Sequence, residues 1–319
     1  DVGRPRSPAR SVKVTDATPQ KSASGREIML EVEVDNNNPY VQQEVIYTIR
    51  LLNRVDLSSP RLSSLEADGD AIIKPLGDGR QYREQRHGTN YEVYEQRLAM
   101  SAQSTGPMTL WPLVLTSQIV SRNRAFFDPF SQILQTRRVE SDAVTLDVRP
   151  IPASYPGDKT WLPARRVRLH EQWEPDTLQA DAGAPLSRTL FWWADGLVAG
   201  QLPEIAFSPS DDIKLYPDQP QSSDQAGADG FTAVMQQKFA IIAGQPGSGQ
   251  GGPSRIPWWN VETDTLEVAE IAARTVTVNG SAVAPDAASP RTPPVPPASA
   301  STLSVAPAET TKRGWIYLS

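Results

Sequence analysis

The sequence predicts an all-β protein, two β-sandwiches in tandem. Apolar residues recur at every second position in short runs, and the runs are separated by Gly, Pro and Asn. The 29 Pro and 20 Gly exceed what a helical protein of this size carries, and they supply the turns that many short strands need. A chain of 319 residues is long enough for two or more domains, each burying its own core.

Asp1 to Gly25 is polar, holds Pro5, Pro8 and Pro19, and alternates only at Ser11 to Val14, so residues 1–25 read as a linker or the last strand of a preceding domain. From Arg26 the pattern sharpens. Ile28, Leu30, Val32 and Val34 alternate with Met29, Glu31 and Glu33, and Asp35-Asn36-Asn37-Asn38-Pro39 ends the strand in a turn. Val45, Tyr47, Ile49 and Leu51 repeat the alternation, and further strands are expected at Tyr91 to Met100, near Met108 to Leu115, and at Val144 to Val148. Residues 26–150 suit one immunoglobulin-like sandwich with long loops. Arg122 to Arg138 reads as an insertion whose Phe126-Phe127-Asp128-Pro129-Phe130 sets three aromatics around a turn. Apolar loop residues are more often buried than displayed, so packing is the first expectation for them and display to a partner the second.

Arg149-Pro150-Ile151-Pro152 closes this unit, because proline cannot donate to a ladder. Residues 151–280 read as a second immunoglobulin-like sandwich. Val167, Leu169 and Trp173 alternate with Arg166, Arg168, His170 and Gln172, and only Glu171 breaks the apolar row. Thr189 to Ala194 is apolar on both faces, as for a strand covered on two sides. Phe231, Ala233, Met235, Phe239 and Ile241 form one face of a long strand, interrupted by Gln237, and Arg274 to Val278 supplies the last. Residues 281–312 are Ala, Pro, Ser and Thr with too little apolar surface to offset the entropy of ordering, and read as a tether. Residues 313–319 turn apolar (GWIYL) and read as the start of a truncated transmembrane helix, since a bilayer needs about 20 such residues.

Chemistry is mostly excluded. The net charge of -6 provides no basic field for phosphates, so no nucleic acid is expected as partner. Without cysteine there is no disulfide, thiol catalysis or thiolate metal site. The two histidines, His87 and His170, fall in separate predicted domains with no nucleophile motif around them and read as surface residues. Gly247 to Gly252 lacks the Lys-Ser or Lys-Thr of a phosphate loop and reads as a flexible hairpin. Asp211, Asp212 and Asp264 read as solvated loop carboxylates. No catalytic residue, cofactor or metal is expected. The pairs Trp192-Trp193 and Trp258-Trp259 are the most distinctive feature: neighbours in a strand face opposite sides, so one indole of each enters the core. The other either covers a neighbouring domain or offers a sugar-binding platform, with packing preferred.

Several segments resemble the BatD family of oxygen-tolerance (aerotolerance-type) proteins, over roughly Arg26 to Val278. They are Glu31 to Asp35 with Pro39-Tyr40-Val41-Gln42, Trp161 to Ala164, Glu171-Gln172-Trp173 with Pro175-Asp176, and Gly183 with Pro185 and Arg188-Thr189-Leu190. Gly196-Leu197 with Gln201-Leu202-Pro203, Tyr216 to Pro220 and Pro257 to Asn260 complete them. The resemblance implies tandem immunoglobulin-like domains in the periplasm, anchored to the inner membrane by a C-terminal helix, in a non-enzymatic scaffold or adaptor. It implies von Willebrand A domain membrane proteins as direct partners and a MoxR-type AAA+ ATPase as an indirect one. Such domains often hold a metal whose coordination a partner carboxylate completes, which makes the loop acids Asp128, Asp212 and Asp218 candidate ligands and Phe127 and Phe130 candidate contacts. The alternative is a carbohydrate- or peptidoglycan-binding module using outward-facing Trp.

Overall fold

The computed structural model describes residues 27–121, 133–205, 213–243 and 245–280. Within them the chain is β throughout, apart from one 3-10 turn at Ala199–Gln201.

The first half contains β1 (Ile28–Val34), β2 (Val45–Asn53), β3 (Leu57–Leu62), β4 (Ala71–Pro75) and β5 (Arg80–Arg86). It continues with β6 (Thr89–Ala102), β7 (Gly106–Leu110), β8 (Val114–Ser121), β9 (Ile133–Glu140) and β10 (Val144–Val148). One layer orders β1-β2-β6, with β4 and β5 pairing in succession along the far side of β6 as an interrupted edge. The other combines β3-β8-β9 with the β7–β10 pair. Ile28, Leu30, Tyr47, Ile49 and Met100 of the first layer meet Leu110, Leu115, Ile119, Val139 and Leu146 of the second in one core, as the alternation predicts. Register is also held from outside. Across four strands Glu31, Arg50, Glu95 and Arg80 stand opposite one another with alternating charge, and the buried Glu95 meets Arg50 at 3.3 Å and Arg80 at 2.9 Å.

The second half contains β11 (Pro163–Ala164), β12 (Arg166–Glu174), β13 (Gln179–Asp181), β14 (Pro185–Asp195), β15 (Ile213–Pro217) and β16 (Gln221–Gly227). β17 (Gly230–Ala243), β18 (Gly247–Gly251), β19 (Ser254–Asn260), β20 (Thr265–Ile271) and β21 (Arg274–Asn279) complete it. It repeats the first. β12-β14-β17, edged by β15 and β16, matches β1-β2-β6 edged by β4 and β5, while β18–β21 and β19–β20 match β7–β10 and β8–β9. β6 and β17 are both 14 residues long and begin at 89 and 230, so most strands correspond at a spacing of 141. Val93 and Val234, Gln96 and Gln237, Ala99 and Ala240, Ala102 and Ala243 are identical at that spacing. Gly106 and Gly247, both with positive φ (104° and 145°), turn the chain after the long strand in each half.

The structure departs from the sequence reading at several strands. β16 is exposed throughout and carries no apolar alternation; backbone pairing to β17 holds it. Gly247 to Gly251, expected as a flexible loop, is a strand held by antiparallel pairing with β21, and Gly251 leaves room for the Trp173 ring, which a Cβ there would approach to 2.9 Å. Ile133 to Arg138, expected within the insertion, lies in β9. Thr189 to Ala194 is covered on one side only: Leu190, Trp192 and Ala194 are buried, while Phe191 and Trp193 are half-buried. Ser11 to Val14, the Phe126 to Phe130 turn, the tether and the GWIYL segment lie outside the described residues. Among the described residues no helix is long and apolar enough to cross a membrane.

Candidate functional site

No strand of one half pairs with a strand of the other among the described residues, yet the halves meet in a joint built from both. Its first part is aromatic. Trp161, entering the second half, packs edge-on against Tyr40 at 5.8 Å and Tyr155 at 4.8 Å, and lies 6.3 Å from Trp259, which itself meets Tyr40 at 5.9 Å. The polar tips are all satisfied. The Trp161 indole N–H donates to the Val41 carbonyl at 2.8 Å. The Tyr40 hydroxyl and the Trp259 indole N–H both donate to Asp264 Oδ1, at 2.7 and 3.1 Å. The Arg149 guanidinium lies 3.8 Å from the Tyr40 ring centre and 3.6 Å from Asp264 Oδ2. The Tyr40 bond, with those from Trp259 and the charge of Arg149, holds the Asp264 carboxyl below its ordinary value against a smaller opposing effect of burial. Asn260 positions this acid: its Oδ1 accepts the amide N–H of Glu262 and of Thr263, forming the turn in which Asp264 takes a left-handed φ of 58°.

The second part is ionic. Glu44, just before β2, has a side chain only 7% exposed; it accepts Arg165 Nη1 at 2.9 Å and the Phe231 amide N–H at 2.9 Å. Gly230, at φ 127°, makes this approach possible, since a Cβ there would overlap the Glu44 carboxylate. Burial pushes the Glu44 carboxyl above its ordinary value, against the pull of the Phe231 amide and Arg165. Burial likewise raises nearby Asp35, which accepts the Ile46 amide N–H at 2.9 Å. Ile46, Leu76 and Ala99 of the first half and Phe231 of the second close over these groups as a small apolar cluster. Lys74 to Asp224 at 2.7 Å and Gln201 Nε2 to the Gln42 carbonyl at 3.1 Å lie nearer the rim.

The tryptophan pairs divide as alternation predicts, with the packing outcome for one of them. Trp258 lies in the core of the second sandwich and Trp259 in the joint, where it joins the core of the first. Trp192 is fully buried; its neighbour Trp193 stacks on Phe191 at 5.9 Å and 15° on the outer face. Glu171, which breaks the apolar row of β12, is explained by Arg188. That guanidinium is fully buried, meets Glu171 at 2.8 Å, and donates to the Gly252 carbonyl at 3.1 Å, with Arg274 on the other Glu171 oxygen at 3.0 Å.

Of the residues singled out for partner binding, Phe127, Asp128, Phe130 and Asp212 lie outside the described residues. Asp218 is exposed on the link between β15 and β16, where its backbone N–H bonds the Lys238 carbonyl at 2.8 Å. His87 and His170 are exposed. Among the described residues no cluster of three or more His, Asp or Glu could hold a metal. Asp264 is an exposed turn acid, as read, and is in addition the acceptor around which the aromatic part of the joint is assembled.

Fold and joint together define a class, an all-β protein of two immunoglobulin-like sandwiches in series. No family model matches the sequence, and no curated protein matches it. Among solved structures, the type II cohesin dyad from the adaptor ScaA scaffoldin of Acetivibrio cellulolyticus aligns at 7% identity and a TM-score of 0.23, over 70% of this chain and 87% of that one. Domains 4–9 of surface layer protein SbsC align at 11% identity and a TM-score of 0.20, over 79% of this chain and 31% of that one. A conserved domain protein from Bacillus anthracis aligns at 11% identity and a TM-score of 0.20, over 82% of this chain and 91% of that one. Superpositions this loose carry no argument about function.

Proposed function

We propose that this chain is a non-enzymatic periplasmic adaptor of the BatD type, anchored to the inner membrane, that docks von Willebrand A domain proteins of a MoxR-type AAA+ ATPase system in stress or oxygen tolerance. The observation that supports the reading is where the resemblance falls. Tyr40, Val41 and Gln42, Trp161, and Trp259 and Asn260, which come from three separate matching segments, all contribute to the joint. A protein whose most distinctive residues fasten two sandwiches end to end is built to hold surfaces at a set spacing. The test is capture from solubilised envelopes with the tagged chain as bait, with and without EDTA, alongside Asp128→Ala, Asp212→Ala and Asp218→Ala. Recovery of a von Willebrand A protein supports the reading, and loss with EDTA or with one of the acids identifies a metal-bridged contact. Its absence after crosslinking in native membranes overturns the adaptor role.

A second reading has one specific observation in its favour. Phe191 and Trp193 stand as near-parallel rings on the outer face of the second sandwich, flanked by Arg168 and His170. Peptidoglycan fragments that quench or blue-shift tryptophan fluorescence in the parent chain but not in Trp193→Ala would favour this reading.

A further inference from the structure

The internal repeat presents one end of a sandwich in two situations. Leu197, Val198 and Phe231 of the second half line a crevice with Ile72, Lys74 and Ala99 of the first, and the contact leaves it only about 20 Å³. Asp224 meets Lys74 there at 2.7 Å. The residues 141 positions earlier are Asp56, Leu57, Asn90 and Arg83. They line two adjoining clefts of about 480 and 260 Å³ where β2 ends, away from Glu44 and the joint, and Asp56, Asn90 and Arg83 are exposed. An end that is covered in one sandwich is open in its twin.

The face that does the covering also recurs. On the outside of β2, β6 and β4, Ile46, Ala99 and Lys74 stand opposite one another, with Ile72 opposite Ser101 and the Leu76 N–H on the Arg97 carbonyl at 2.8 Å. In the second sandwich Ser187, Ala240 and Tyr216 hold the same register, with Lys214 opposite Ile242 and the Asp218 N–H on the Lys238 carbonyl at 2.8 Å. Lys214, Tyr216 and Asp218 are all exposed.

Between the joint and these two open surfaces the residue types change in matched pairs. Ile72 and Leu197, which line the joint crevice together, become Lys214 and Asp56, of opposite charge. The Lys74 and Asp224 ion pair becomes Tyr216 and Arg83, an aromatic ring and a guanidinium. Leu76 and Phe231, neighbours in one apolar cluster, become Asp218 and Asn90, an acceptor and an amide donor. Each pair stays complementary although both of its members have changed. Arg83 already meets Glu92 at 3.4 Å, but both are largely exposed, and so solvated a pair is too weak to hold the guanidinium back.

We propose that a second copy of this chain docks at the open end, seating the face around its Tyr216 on Asp56, Asn90 and Arg83 and repeating between molecules the head-to-tail relation that the joint makes within one. Because the two surfaces differ, every copy keeps one of each kind unused and the contact propagates into a row. Pro185 stands where Glu44 does, so the contact lacks the buried ion pair of the joint and is the weaker of the two, governed by charge. This goes beyond the adaptor reading and does not rest on it; neither Asp56 nor Lys214 enters the capture test.

Sedimentation velocity of the full chain from about 5 to 500 μM tests it. In low salt the weight-average mass is expected to climb from that of one chain past that of two, and a tenfold rise in salt should weaken the association about tenfold. Asp56→Lys alone and Lys214→Glu alone each remain monomeric, because each brings like charges together; both positions are exposed, so neither change touches a core. An equimolar mixture of the two variants associates again, each offering the charge that the other needs, and so does one chain carrying both changes. The proposal is overturned by a mass that does not rise over this range, by association that survives both single variants, by a mixture that stays monomeric, or by a mass that levels off at two chains.

Discussion

Tyr47 and Arg188 hold the same place in the two sandwiches, 141 residues apart, and both are completely buried. Around Tyr47 the matching positions are Val32, Val34 and Val144; around Arg188 they are Glu171, Trp173 and Arg274. One sandwich fills the site with apolar side chains and the other with an ion triad beneath an indole, Arg188 lying 5.2 Å from the Trp173 ring. Strand order therefore does not dictate core chemistry. What it dictates is that whatever points inward be matched: a guanidinium there requires a carboxylate beside it, whereas a phenol among valines needs no more than the neutral Ser141 hydroxyl nearby.

The sharpest way to break this comparison is Arg188→Ala, which opens a void in the core and leaves Glu171 with only the more exposed Arg274 as its partner, and is expected to cost about 3 kcal/mol in denaturant unfolding. The double variant Glu171→Val with Arg188→Met, imitating the first sandwich, should recover most of that loss, and Tyr47→Phe should change stability by less than about 1 kcal/mol. A cheap Arg188→Ala, or an equally costly Tyr47→Phe, would show that the two sites are not alternative solutions.

Next in size is Gly230→Ala. It puts a Cβ onto the Glu44 carboxylate at a backbone φ of 127° that favours glycine, and is expected to cost about 2–3 kcal/mol. Calorimetry should then resolve two transitions where the parent shows one, whereas Gly88→Ala, at an open turn of the first sandwich, should leave a single transition. Trp161→Phe keeps the ring contacts but leaves the Val41 carbonyl unbonded, for an expected loss of about 1–2 kcal/mol confined to the coupling between the sandwiches.

The smallest effect is in pH. In the folded chain burial raises the Glu44 carboxyl above its ordinary value, so its ionised form costs stability at neutral pH. That cost is relieved as pH falls from the raised value towards the ordinary one. Asp264, held below its ordinary value, acts in the opposite sense, and its contribution is lost only as pH falls through its own depressed range. Glu44→Gln should remove the first trend and leave the second, measured as the separation of the two calorimetric transitions across mildly acidic pH in a Gly230→Ala background.

Much of the fold was legible because alternation is a local property. Ile28 to Val34, Val45 to Leu51 and Phe231 to Ile241 announce strands and core faces without reference to any partner. The exposed edge strands were not legible, since β16, Gln-Ser-Ser-Asp-Gln-Ala-Gly, exists only because β17 offers it hydrogen bonds. The repeat left a faint trace: four identities in the 14 residues of β6 and β17 are few, but their position on two strands of equal length could have revealed it. At the joint, the tryptophan pairs were visible and their division between two sides followed from strand geometry. Asp264 was not, because an acid in a polar turn looks the same whether or not a tyrosine from the other half reaches it.

By itself, then, the sequence determined the class of fold, the turn positions and which face of each long strand is apolar, because side-chain direction in a strand depends only on position within it. Only the tertiary structure decided that Trp161 bonds a carbonyl 120 residues away, that Glu171 is held by Arg188, and that Trp259 of the second half joins the core of the first. Those outcomes depend on which groups meet after two layers and two halves have closed, and hydrogen bonding, ion pairing and cavity volume are properties of the meeting rather than of either partner.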